Sequence, residues 1–376
     1  MTLEITRHLG DIDSLAPAWD ELLVREGQGA PFRSYAWVSA WLRHAAPDVE
    51  PQVLVAREHG RIVALLPLYA EPTTLGGRRL RIAGDGTAGS DYVGIVAAEG
   101  DEARSAPAFA QHLAEQAFSE LYVDGLAEDD PFVIALAAAL HGTVERRYDC
   151  PYVRLAGDFD AYLHALPEGT GAQWSRRRRW LERRPGYAIE CLRTPAELAR
   201  GLDILFELHE ARWHEATEAL GEERLLRFHR DALGGLTALG FAAIDLLHVE
   251  GQPRAALYGF QHGDRFAFYQ AGRDPAWQRR AVGTVLLGDA IRRAFAGGLR
   301  EFDFLHGDEA YKARWANGRR GTVAVRARGH GPRAFVEGQA RVAWSACRRA
   351  MKSTLSDRTL HGLRRLQSSL GLAHTH

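Results

Sequence analysis

Apolar and polar positions alternate over "LEITRHL", which predicts a short strand. They then recur at helical spacing through "DIDSLAPAWDELLVRE", behind Asp and Ser capping candidates. "SYAWVSAWLRHA" predicts a second helix. "PQVLVAREHGRIVALLPLYAE" (51–71) reads as two β-rich runs turning at His59-Gly60, and "RLRIAGDGTAGSDYVGIVA" (79–97) adds one or two strands. "SAPAFAQHLAEQAFSE" is helical and "LYVDGL" is a short strand of the buried type.

The same order returns in the second half. "AELARGLDILFELHEARWHEA" and "ERLLRFHRDALGGL" predict helices, and residues 241–274 predict a three-strand meander with turns at Gly251-Gln252 and Gly263-Asp264. "AVGTVLLGDAIRRAFAGG" is an amphipathic helix with Val282, Val285, Leu286, Ile291, Ala294 and Phe295 on one stripe, and "REFDFLHG" supplies the strand after it. Helices, antiparallel meander, helix and strand thus occur twice, which predicts a tandem duplication with a boundary near Cys150-Pro151: residues 1–150, 151–330, and a basic, partly helical tail 331–376. That tail holds eight Lys/Arg against two Asp/Glu.

Composition narrows the field. The 376 residues exceed one ordinary domain, 46% are hydrophobic and 25% charged, and the net charge of -1 gives no general field toward nucleic acid or membrane. Cys150, Cys191 and Cys347 follow no disulfide or zinc spacing, so no metal and a reduced, cytoplasmic setting are expected. No signal peptide or transmembrane run is visible. The one strong charge feature is "WSRRRRWLERR" (174–184), with six arginines against one glutamate; it reads as a solvated linker helix or as a phosphate-binding face.

The glycine turn opening a helix between two strands, "RRAVGTVLL", places Arg280, Gly283 and Val285 at the positions of the Arg/Gln-x-x-Gly-x-Gly/Ala signature of the GNAT acetyltransferases, Val285 being a departure. With "LHEARWHE", "YQAGRDPAW" and "FDFLHGDEAYKARW", it resembles the BioF2-like, or CelD-type, acetyltransferases of the GNAT superfamily, which are similar in architecture to the Fem-type peptidyltransferases. The resemblance is close over about residues 150–320 and looser before. It implies an α+β (mixed α/β) fold of two tandem GNAT-like domains, each a mostly antiparallel sheet flanked by helices. It also implies a bacterial, cytoplasmic acyltransferase using acetyl-CoA or another acyl-CoA. The first copy lacks the turn and carries Glu99, Asp101 and Glu102 there, so only the second copy is expected to bind CoA.

Carried onto this chain, the resemblance assigns Arg279, Arg280, Ala281, Val282, Gly283 and Thr284 to the pyrophosphate, where helix N–H groups and guanidinium groups meet an anion, and Tyr269, Gln270, Ala271 and Gly272 to the donor strand. Tyr311 is the candidate acid for the departing thiolate; Asp308, Glu309 or His209 is the candidate base. Asp91, Tyr92, Arg212, Trp213, Asp303, Lys312 and Trp315 are candidates for the wall of the acceptor pocket, with His209 and Trp213 sharing a helix face.

The expected partner is a small-molecule acceptor with an amine or hydroxyl, such as a sugar or amino-sugar precursor of an envelope polysaccharide. Two other functions stay open. One is aminoacyl-tRNA-dependent peptide-bond formation, the only case in which nucleic acid would bind. The other is a non-catalytic role in a polysaccharide-synthesis complex.

Overall fold

The computed structural model describes residues 1–26, 31–213, 223–307, 309–329, 334–337 and 339. The first half runs β1 (Thr2–Thr6), α1 (Leu9–Asp13), α2 (Ala16–Glu26), α3 (Tyr35–Ala40), β2 (Glu50–Glu58), β3 (Arg61–Pro72), β4 (Arg78–Ile82), β5 (Val96–Ala97), α4 (Asp101–Glu115), β6 (Glu120–Ala127), α5 (Pro131–Leu140) and β7 (Thr143–Arg154). Two helices follow, α6 (Phe159–Ala165) and α7 (Thr170–Glu182). The second half is β8 (Ala188–Leu192), α8 (Pro195–Trp213), α9 (Glu223–Ala238), β9 (Ala242–Val249), β10 (Gln252–His262), β11 (Arg265–Arg273), α10 (Val282–Ala296), β12 (Glu301–Asp303), α11 (Ala310–Trp315) and β13 (Gly318–Arg328). The fold is mixed α/β on one large, mostly antiparallel sheet, and among the described residues no helix is long and apolar enough to cross a membrane.

Local chemistry explains the elements. Ser34 caps α3 by accepting from Trp37 N. The β2–β3 hairpin turns on His59 and Gly60, both at positive φ, the geometry that matches strand twist. The β9–β10 turn sits one residue earlier than the sequence pattern indicates, on Glu250-Gly251, because these two residues carry the positive φ.

Strand order in the sheet is β1-β2-β3-β4-β6-β13-β7-β12-β11-β10-β9-β8. Each half contributes a meander and one parallel pair, β4 with β6 and β11 with β12. The final strands change sides: β13 pairs with β6, while β7, which runs through position 150, pairs with β12 and with β13. Three apolar clusters follow. One packs α4 and α5 on the first half, and one packs α6, α7 and α10 on the second. The third joins the halves, with Phe32 and Trp37 set among Phe228, His229, Tyr258, Phe260 and Tyr269. The tail from 331 lies outside the described residues apart from 334–337 and 339.

Candidate active site

The parallel pair β11 and β12 opens into a wedge. Register runs Arg265↔Glu301, Phe266↔Phe302, Ala267↔Asp303 and stops, while β11 continues to Arg273. The chain leaves β12 because Asp303 Oδ1 accepts from Leu305 N at 2.7 Å and Leu305 takes φ 56°, followed by Gly307 at φ 134°. Beyond Ala267, no strand among the described residues pairs with that edge of β11. Gln270 and Ala271 are half-buried there. Gly272 is buried under α8: a Cβ at Gly272 would lie 2.8 Å from Leu208 Cβ, so glycine sets the depth of the helix. His209, buried on the same turn of α8, packs against this strand, its N 3.1 Å from that Cβ position.

A turn at the far end of β11 leads into α10. Asp274 accepts from Ala276 N at 2.9 Å, a 3-10 turn spans Pro275–Arg280, and Ala281 at φ 55° precedes the first residue of α10. Val282, Gly283 and Thr284 therefore bring the first N–H groups of the helix, which have no partner within it. A Cβ on Gly283 would meet only Arg273 Cδ, at 3.9 Å, so the space above this turn is open. Val285 does not obstruct it: the side chain is fully buried in the second-half core, and the carbonyl accepts from Trp174 Nε1 at 3.1 Å. Arg279 and Arg280 are exposed. The matching helix of the first half, α4, begins with Asp101 and Glu102, and Glu102 accepts from the buried Arg33 at 2.8 Å. Carboxylates occupy the place of an anion there.

A loop of the first half closes the wedge. Tyr269 Oη donates to Ala88 O at 2.8 Å, and Tyr92 Oη donates to Asp303 Oδ2 at 2.9 Å. Asp91 Oδ2 accepts both the backbone N–H and the ring Nδ1 of His306, each at 2.8 Å. Burial pulls the His306 imidazolium down, but the hydrogen bond and charge of Asp91 outweigh it and leave the pKa above the ordinary histidine value. A carboxylate on Nδ1 fixes the tautomer that leaves Nε2 as a proton acceptor. The Tyr148 ring lies 5.1 Å from the His306 ring. Asp303 is itself buried and pushed up to about 6, chiefly by burial, against the lowering effect of Arg320. Arg320 pairs with Glu301 and covers the rings of Tyr92 and Tyr152.

The run after Gly307 is used mainly for support. Lys312 is buried, donates to His306 O at 2.6 Å and pairs with the exposed Glu309 at 2.9 Å, so its charge is committed to this loop. Trp315 is fully buried: a Cβ at Gly288 of α10 would come within 2.6 Å of its ring, and its carbonyl accepts from Tyr162 Oη. Tyr311 is half-buried against the second-half core. Asp308 and the side chains of Arg212 and Trp213 lie outside the described residues. The structure thus brings Asp91, Tyr92, Tyr269 and Asp303 together. It adds His306, which stands between the strand and Gly307 and which no sequence motif singles out, its partner being 215 positions away.

Residues 171–313 match the family model of the acetyltransferase (GNAT) domain. No curated protein sequence matches the chain. Among solved structures, FemX is similar over 85% of this chain and 97% of its own, at TM-score 0.57 and 10% identity. L-PGS from Bacillus licheniformis is similar over 88% and 96%, at TM-score 0.55 and 14% identity. A protein of unknown function from Bacteroides thetaiotaomicron VPI-5482 covers 87% and 100%, at TM-score 0.54 and 13% identity. At these identities the likeness is one of fold.

Proposed function

We propose that the chain, whose residues 171–313 match the acetyltransferase (GNAT) domain, is an acyltransferase that moves an acyl group from acyl-CoA to the amine or hydroxyl of a small acceptor, with His306 as general base. The observation that carries this reading is the Asp91–His306 pair at the mouth of the β11–β12 wedge. The open turn at Gly283 supports the donor half of it. N–H groups of Val282, Gly283 and Thr284, with Arg279 and Arg280, would hold the pyrophosphate. The unpaired edge of β11 from Tyr269 to Gly272 would receive the amides of the pantetheine arm, which directs the thioester into the wedge.

The acceptor nitrogen or oxygen then attacks the thioester carbon. A C–N or C–O bond forms, the C–S bond breaks, His306 Nε2 takes the acceptor's proton, and Tyr311 is the candidate to protonate the departing thiolate. On the acceptor side, Tyr148 next to His306 offers an apolar face with a polar tip, and Arg147, paired with Asp124, stacks on the ring and donates to its hydroxyl. A polyhydroxylated acceptor such as an amino sugar suits such a wall.

The likeness in fold to FemX keeps a second donor in view, aminoacyl-tRNA, for which the arginines of α7 would supply the phosphate contacts. Calorimetric titration with acetyl-CoA separates the two. Micromolar binding, abolished by Gly283→Glu, is the expected result; the new side chain enters open space and sets a negative charge in the turn. Silence toward acetyl-CoA and longer acyl-CoAs would overturn the reading.

A further inference from the structure

Trp180 on α7 carries two guanidinium groups from different elements. The Arg184 Cζ stands 3.8 Å from its ring centroid and the Arg280 Cζ 4.4 Å. Arg184 lies just past the end of α7, and Arg280 just before the start of α10. Neither has a carboxylate within ion-pair distance among the described residues. Arg178 of the same helix shows the contrasting case: it pairs with Glu182 at 3.1 Å and reaches the buried Asp289 at 3.8 Å. Arg178 is thereby neutralised within the fold.

Two cations gathered on one indole repel each other, and stacking on the ring offsets only part of that cost. Stacking also leaves the N–H edges of both groups free, which is the arrangement that binds phosphate oxygens. We infer that Arg184 and Arg280, mounted on Trp180, form a binding site for a phosphomonoester dianion, and that the group bound is the 3′-phosphate of the acyl-CoA donor. The inference rests on the acyl-CoA reading. Arg280 already belongs to the turn assigned to the pyrophosphate, and the 3′-phosphate is one ribose away from it. The second anion therefore falls beside the first.

The test compares CoA with 3′-dephospho-CoA by calorimetry on the full chain. The native protein should prefer CoA by roughly tenfold, the size of one charge-assisted contact. Arg184→Gln should abolish that preference while binding dephospho-CoA as before, which also reports an intact fold; Trp180→Leu, which releases Arg280 from the ring as well, should abolish the preference and weaken both nucleotides. Arg183→Gln, one residue away and without a stacking contact, should keep the preference. A preference that persists in Arg184→Gln, or that Arg183→Gln removes equally, would overturn the inference. So would equal affinity of the native protein for the two nucleotides, with the acyl-CoA reading left standing. Silence toward both would overturn the two together. An RNA oligonucleotide bound through Arg184, without discrimination between the nucleotides, would assign the face to nucleic acid instead.

Discussion

Asp91 in the first half grips His306 in the second twice through one oxygen, at the backbone N–H and at ring Nδ1, each 2.8 Å away. Burial lowers the pKa of His306 most, Asp91 raises it by hydrogen bond and charge, Lys312 lowers it and Glu309 raises it, with a net rise. A base must be neutral to act, so kcat/KM should fall on the acid side with a midpoint above the ordinary histidine value of about 6.5. Asp91→Asn should move that midpoint down and lower kcat by on the order of 10²- to 10⁴-fold. A pH–rate profile on both proteins checks this, and an unmoved midpoint would remove His306 from the reaction.

Tyr311→Phe should leave acetyl-CoA affinity unchanged, since nothing assigns its hydroxyl to the donor's phosphates. It should lower kcat by about 10²-fold if the phenol protonates the thiolate. Single-turnover kinetics beside calorimetry separates the two effects. Parallel losses of affinity and rate would mark Tyr311 as a packing residue of the wedge.

Much of this was legible in the chain. The α10 stripe, the meanders and the turn at Gly283 follow from periodicity and glycine, because one face of each element is buried in a simple repeat. The sequence pattern does not indicate the closing strand of each repeat, and α5, α6 and β8 also go beyond the elements it predicts. β7 is "TVERRYDCPYVR", mostly exposed and charged with a proline inside, and it makes no alternating pattern. Its place is decided by β12 and β13, strands that lie far along the chain. The site divides in the same way. Asp91, Tyr92 and Tyr269 stood in recognisable runs, whereas the pairing of Asp91 with His306 depends on how the halves meet. Conversely, Trp315 and Lys312 looked like pocket residues and are committed to packing and to the His306 loop.

Gly288→Ala should destabilise the fold by about 1–3 kcal/mol, the usual cost of an extra methyl in a filled core. The added carbon would sit 2.6 Å from Trp315 Cη2 and from Trp174 Cδ1, between two rings that fix the height of α10. Thermal unfolding measures it. An unchanged Tm would mean that α10 can slide, and the turn at Gly283 with it.

His229 makes the protein sensitive to acid. It is buried among Trp37, Phe206, Phe228, Tyr258 and Tyr269, and burial pushes its pKa down to about 3. Between that value and about 6.5 the unfolded chain binds a proton that the folded chain refuses. Its contribution to stability is therefore complete above about 6.5 and is lost as pH falls through this window, by on the order of a few kcal/mol at the acid end. Asp85, Asp130 and Asp303, each raised to about 6 mainly by burial, act in the opposite sense, so the variant must be compared with the parent. His229→Phe should lose less Tm than the parent between pH 7 and pH 4.5. Equal slopes would show that the folded protein protonates His229 as readily as the unfolded chain does.

The exchanged strands predict how the chain responds to division. Val323, Val325 and Ala327 of β13 fill the first-half core beside Leu121 and Val123 of β6, while β7 borders β12 on the other side. Residues 1–156 expressed alone would leave the β6 edge unpaired and its apolar face open, and residues 157–376 would leave β12 with no partner on the β7 side. Unpaired edges of this kind recruit other strands, so each half should be aggregated or expanded on its own. Co-expression should recover a soluble complex, because every missing strand is then present in one of the two pieces. Size-exclusion chromatography with far-UV circular dichroism decides the matter. A monomeric, cooperatively folded 1–156 fragment would show that the first half closes its sheet without β13, and that the wedge is walled by a separable domain.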